Sequence, residues 1–173
     1  AIEKGADGLI AVAAGAGGHA GAQSPLALIS EIRDWFDGPL LLSGAISTGR
    51  SILAAQAMGA DLAYIGSPFI ATNEANAVPD YKDMIVSSGA EDIVYSNLFT
   101  GVHGNYLKPS IAKAGLDPNN LEQSDPTKMD FGANRQKPKS WKEIWGAGQG
   151  IGSVKSVAPT ADLVARLARE YSA

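Results

Sequence analysis

Short apolar runs without polar alternation, introduced by a repeated three-residue punctuation, constrain this chain most. Gly5-Ala6-Asp7 precedes Gly8-Leu9-Ile10-Ala11-Val12-Ala13, and 54 positions later Gly59-Ala60-Asp61 precedes Leu62-Ala63-Tyr64-Ile65. A glycine in that place ends a helix in a left-handed cap, and the run after it predicts a short buried strand. Between the two lies a third unit. Ser24 and Pro25 form an N-cap and first-turn pair, and Leu28, Ile29, Ile32, Trp35 and Phe36 fall on one helical face until Asp37-Gly38-Pro39 stops it. Leu40-Leu41-Leu42-Ser43 follows as a strand, and a helix over 48–58 puts Ile52, Leu53 and Ala57 on one face. The pattern is βαβαβ. Strands this apolar, joined by helices, belong to a parallel sheet buried on both faces, either an α/β barrel or an open doubly wound sheet.

Beyond Ile65 the rhythm changes. A short helix is expected over 80–88, and 96–150 is rich in Gly, Pro, Asn and Asp, as in a binding loop or lid. Within it, Trp141 and Trp145 have the spacing of one helical face. A last amphipathic helix over 159–171 places Leu163, Val164, Leu167 and Tyr171 together and closes the domain. The chain thus divides into βα units (1–95), a loop or lid (96–150) and a closing helical segment (151–173).

Composition narrows the chemistry. There is no cysteine among the 173 residues, which excludes disulfides, zinc-thiolate and iron-sulfur sites and favours a reducing, cytoplasmic setting. The formal charge of -4 comes without a basic stripe, so nucleic acid is not an expected partner, and no run approaches the roughly 18 apolar residues of a membrane span. Two histidines are too few for a metal centre. The start, Ala1-Ile2-Glu3-Lys4, has neither an initiator Met nor a signal-like pattern and reads as entry into the middle of a longer protein.

Chemistry in parallel α/β folds sits where strands meet the following helices, and each such tip here bears glycine. The tips are Gly15-Ala16-Gly17-Gly18-His19-Ala20-Gly21, Ser43-Gly44-Ala45-Ile46-Ser47-Thr48-Gly49 and Gly66-Ser67-Pro68. Glycine lets backbone N–H groups approach a ligand, and unpaired N–H groups favour an anion. The first tip fits a loose dinucleotide fingerprint, yet Leu42-Ser43-Gly44 stands where a ribose-binding acid would end the next strand. The second has P-loop spacing with Arg50 in place of the Lys, and a guanidinium fork does not substitute for that ammonium. His19, between a strand and a glycine-rich turn, is the candidate catalytic group, because an imidazole can take or give a proton there. His103 reads as a loop contact. If the three strands are the sixth, seventh and eighth of a barrel, Gly44, Ala45, Gly66 and Ser67 form its phosphate site and five strands lie upstream.

At these residues the sequence resembles the nitronate monooxygenase family, formerly called 2-nitropropane dioxygenases. The resemblance runs from Gly5-Ala6-Asp7 through Gly17-Gly18-His19, Gly44-Ala45-Ile46 and Gly66-Ser67-Pro68-Phe69-Ile70-Ala71-Thr72-Asn73-Glu74 to Ala147-Gly148-Gln149-Gly150. It implies an FMN-dependent (β/α)8 TIM barrel, of which the chain supplies about the last three βα units, so that the isolated segment is expected to be inactive. It implies His19 as the base or polarising group beside the flavin, cofactor contacts from Gly17 and Gly18, and a phosphate site at Gly44, Ala45, Gly66 and Ser67 with Tyr64 and Ile65 leading into it. It implies oxidation of alkyl nitronates by flavin and O2 to a carbonyl compound and nitrite, and leaves a homodimer open. Val12 stands where many members have a flavin-bonding Gln, Gly15 where an acid is usual, and Ala45 where the phosphate turn has a second Gly, with its N–H still offered. The related flavin-dependent enoyl-thioester reductases share these motifs, so a reductase or an acyl-CoA dehydrogenase-like oxidoreductase is the alternative; a non-enzymatic flavin- or phosphate-ligand-binding protein is the third.

Overall fold

A computed structural model describes residues 1–123 and 143–173 of the chain. Its first half is the expected βαβαβ unit. β1 (Leu9–Val12) is followed by a two-residue β2 (Gly18–His19), α1 (Pro25–Arg33), β3 (Leu40–Ser43), α2 (Gly49–Ala57) and β4 (Leu62–Ala63). β1, β3 and β4 form a parallel sheet in the order β1-β3-β4, with Leu9 opposite Leu40 and Leu41 opposite Leu62. Gly5 and Gly59, the two punctuating glycines, have φ of 86° and 109°, the left-handed conformation their place before a strand demands.

Among the described residues only one face of this sheet is covered. Ala11, Ala13, Leu40 and Leu42 point toward α1 and α2 and pack with Ile29, Ile46, Ala55 and Ala60. On the other face Ile10 is 50% exposed, Leu62 61% and Tyr64 54%. The strands are therefore apolar on both sides, as read, but buried on one. Arg33 pins the opposite end of the sheet: it donates to the carbonyls of Phe36, Gly38 and Gly59 and to Asp61, whose carboxylate also accepts the N–H of Leu40 at 2.8 Å.

The helix faces need correction in places. α1 ends at Arg33, so Trp35 lies beyond it and is exposed. α2 turns Ile52, Ala55 and Met58 to the core and leaves Leu53 exposed, because the sheet takes one side and the last helix another. That contact explains Gly49, where a Cβ would lie 2.2 Å from the carbonyl oxygen of Leu167.

The second half is more regular than its composition suggested. After α3 (Ser67–Ile70) and α4 (Pro79–Ser87), β5 (Ile93–Ser96) and β6 (Gly104–Leu107) form an antiparallel hairpin, and β6 also pairs with β2, Gly18 opposite Asn105. α5 (Lys108–Lys113) follows, and α6 (Thr160–Tyr171) buries Leu163 and Leu167 while Val164 stays exposed. The stretch expected to be an irregular lid thus carries a fully buried strand, and Leu107, Trp145, Ala147 and Ile151 join Ile85 and Ile93 in a second core. Trp145 stacks on Tyr81 with centroids 5.0 Å apart; Trp141 lies outside the described residues. No helix among the described residues is long and apolar enough to cross a membrane.

Candidate functional site

The three strand tips converge, and the segment after Trp145 knots them together. The carbonyl of Gly15 accepts the N–H of Ala45 at 3.1 Å and that of Gln149 at 2.9 Å. The Gly148 N–H donates to Ser67 Oγ at 2.8 Å, and Ser47 Oγ donates to the Gly150 carbonyl at 2.7 Å. Such backbone-to-backbone approach tolerates no side chain. A Cβ on Gly17 would lie 2.7 Å from the N of Gly148, one on Gly148 2.7 Å from the O of Gly15, and one on Gly150 2.6 Å from the O of Ala45. The role of Gln149 is thereby visible: its backbone ties the last segment to the first tip.

Two adjoining clefts result. The smaller, about 20 Å³, is lined by Gly44, Ala45, Gly66 and Ser67 together with Gly17 and Gly148. The larger, about 310 Å³, is lined by Gly17, Gly18, Tyr64, Gly66 and Ser67 on one side and by Tyr81, Ile144 and Trp145 on the other. The N–H groups of Gly66 and Ser67 have no acceptor among the described residues, and a Cβ on Gly66 would meet nothing within 4 Å. These are unpaired donors on residues that line both clefts, which is what anion binding by backbone requires.

Three expected contacts differ. Ala45 does not offer its N–H, which is held by Gly15; with φ 55° it is the one non-glycine residue in the left-handed region among the described residues, and it shapes the turn instead. Ile65 lines neither cleft, because strand alternation turns Tyr64 to the open face and Ile65 into the core under α1 and α2. His19 lines neither cleft although its neighbour Gly18 does. It is exposed at the end of β2, with Nε2 3.0 Å from Thr100 Oγ1. The P-loop look-alike is closed as well: Thr48 and Ser51 cap α2 reciprocally, and the Glu170 carboxylate accepts the Gly49 N–H at 2.8 Å. His103 stacks on Tyr95 as a loop contact. No cluster of metal-ligating side chains occurs among the described residues.

Asn105 and Tyr81 carried no signal recognised in the sequence, and Trp145 was read there only as packing on a helical face. Asn105, buried in β6, donates Nδ2 to the Ala16 carbonyl at 2.7 Å; a polar residue inside a buried run was the available sign. Tyr81 donates its hydroxyl to the Gly146 carbonyl, and burial pushes its pKa up to about 12, so it stays a neutral donor. Trp145 completes the apolar wall with Tyr81.

With this geometry in hand, the comparisons are specific. The family model described as Nitronate monooxygenase matches residues 1–170. The nitronate monooxygenase of Paraburkholderia phytofirmans is 28% identical over 181 residues, an alignment covering 96% of this chain and 49% of that protein. A probable nitronate monooxygenase of Bacillus subtilis is 30% identical, covering 97% and 52%. Among solved structures, FabK from Thermotoga maritima superimposes with a TM-score of 0.74 at 22% identity, over 99% of this chain and 56% of that one, which establishes a shared α/β fold. The chain spans about half the length of the relatives it matches throughout.

Proposed function

The chain belongs to the nitronate monooxygenase family, and from that premise we propose that it forms the C-terminal part of a cytoplasmic, FMN-dependent (β/α)8-barrel enzyme that oxidises alkyl nitronates with O2 to a carbonyl compound and nitrite. The barrel reading is supported by the apolar face of the parallel sheet that the described residues leave exposed, Ile10, Val12, Leu62 and Tyr64, which is the inner face of a barrel once five further βα units close it.

The residues at the tips fit a flavin mononucleotide. Gly66 and Ser67, whose N–H groups have no acceptor among the described residues, line a glycine-rich cradle suited to a dianionic phosphate, and Tyr81 with Trp145 forms an aromatic wall of the adjoining cleft. That convergence is the observation that carries the reading. When bound, FMN supplies the electron acceptor and the centre at which O2 is reduced. The chain's own residues hold the phosphate, keep the first tip against the hairpin through Asn105, and set His19 at the rim, where its imidazole takes or gives a proton or polarises the anionic nitronate.

The test is direct. The enzyme carrying this chain releases nitrite and consumes O2 with propyl-2-nitronate, and His19→Ala lowers kcat by about 100-fold or more, the scale of general acid–base catalysis. Turnover unchanged by His19→Ala contradicts the role given to His19, and no nitrite from any nitronate contradicts the reaction.

A further inference from the structure

Thr100 makes a set of hydrogen bonds that fixes more than the position of His19. Its hydroxyl donates to the Val102 carbonyl at 2.9 Å, an oxygen that can only accept. The same Oγ1 accepts the Val102 N–H at 3.3 Å and lies 3.5 Å from the Tyr106 hydroxyl. A threonine hydroxyl has one proton, and when the Val102 carbonyl takes it the hydroxyl meets His19 with its lone pairs alone. The contact of 3.0 Å with His19 Nε2 is then a hydrogen bond in which the ring nitrogen donates.

We infer that Thr100 is a positioning residue that holds His19 as the Nε2–H tautomer, making Nδ1 the nitrogen that accepts a proton. This rests on the proton-handling role given to His19 above. Thr100 is well placed to act so rigidly. It sits beside Phe99, which packs edge-on against Tyr106 at 4.9 Å, and Tyr106 is a fully buried residue of β6, the strand that pairs with β2 opposite His19. The imidazole is thus referenced to the hairpin core. Which ring nitrogen carries the proton is set by the bond the other atoms make, and a wrong tautomer disables a histidine base without moving it.

The test reads the ring nitrogens themselves. In 15N-labelled, flavin-loaded enzyme at a pH where the ring is neutral, His19 shows a pyrrole-type Nε2 and a pyridine-type Nδ1. Thr100→Val moves both shifts toward a common averaged value, and Thr100→Ser restores the separation. Val102 is 56% exposed, so water takes over its backbone groups and the valine variant folds; the serine variant controls for any loss of packing. Averaged shifts in the wild type, a protonated Nδ1 in the neutral ring, or a Thr100→Val spectrum identical to wild type overturns the inference. In turnover, Thr100→Val lowers kcat by about 10-fold while KM stays within about twofold. A pinned tautomer with unchanged kcat upholds the inference and instead contradicts the catalytic role assigned to His19.

Discussion

Asn105 donates its Nδ2 to the carbonyl of Ala16 at 2.7 Å, and both residues are almost fully buried. This bond adds a buried side-chain tie to the β2–β6 pairing that joins the turn presenting Gly17, Gly18 and His19 to the strand at the centre of the second sheet. Asn105→Ala leaves a buried carbonyl unpaired, at a cost of about 1–3 kcal/mol, and loosens the tip. Urea melts of the enzyme therefore show that loss of stability together with weakened FMN binding. Melts within about 0.5 kcal/mol of wild type would show the bond to be dispensable.

Gly66 and Gly17 separate a cofactor requirement from a folding one. A Cβ on Gly66 enters open space, so Gly66→Ala changes stability by no more than about 1 kcal/mol, yet it crowds the cradle and raises the FMN Kd by about 10-fold or more. Riboflavin, lacking the phosphate, is affected less. A Cβ on Gly17 meets the backbone N of Gly148 at 2.7 Å, so Gly17→Ala destabilises the protein with or without flavin. Equal effects of Gly66→Ala on FMN and riboflavin would contradict a phosphate site there.

The first half of the fold was legible because its cues are local. Gly5 and Gly59 announce β1 and β4, and Pro25 opens α1. In the second half α4 and α6 were legible as helices but the hairpin was not, because β6 is four residues long, carries Asn105 in its middle and depends on pairing with β5 and with the distant β2. At the site, the glycine tips were visible as a class. What the sequence could not separate was which N–H groups are left without an acceptor among the described residues: those of Gly66 and Ser67 are, whereas that of Ala45 is tied to Gly15. That distinction is a matter of a few tenths of a nanometre of backbone, outside the reach of motif spacing.

Asp61 gives stability a pH dependence whose sign follows from its partners. The Leu40 N–H, then the Arg33 guanidinium, hold its carboxyl below the usual carboxylate range. A lowered folded-state pKa contributes stability that is present above the unfolded value near 4 and is lost as pH falls through the folded value. Asp61→Asn is accordingly less stable than wild type at pH 7, and the gap closes on acidification below about pH 4. A gap that persists unchanged to pH 2 would assign it to packing and not to charge.

Ile10 tests the barrel. As an exposed side chain its truncation to Ala would change stability by about 0.5 kcal/mol at most. Facing a barrel interior, it costs about 2–5 kcal/mol in the complete enzyme. Chemical denaturation of Ile10→Ala in that enzyme distinguishes the two, and the larger loss is expected.

The most direct test mixes the oxidised, flavin-loaded enzyme anaerobically with an alkyl nitronate or with NAD(P)H and follows the flavin absorbance. The nitronate is expected to bleach the flavin, with nitrite appearing once O2 is admitted. Bleaching by NAD(P)H alone, with the nitronate leaving the flavin oxidised, would contradict nitronate oxidation and mark a reductase.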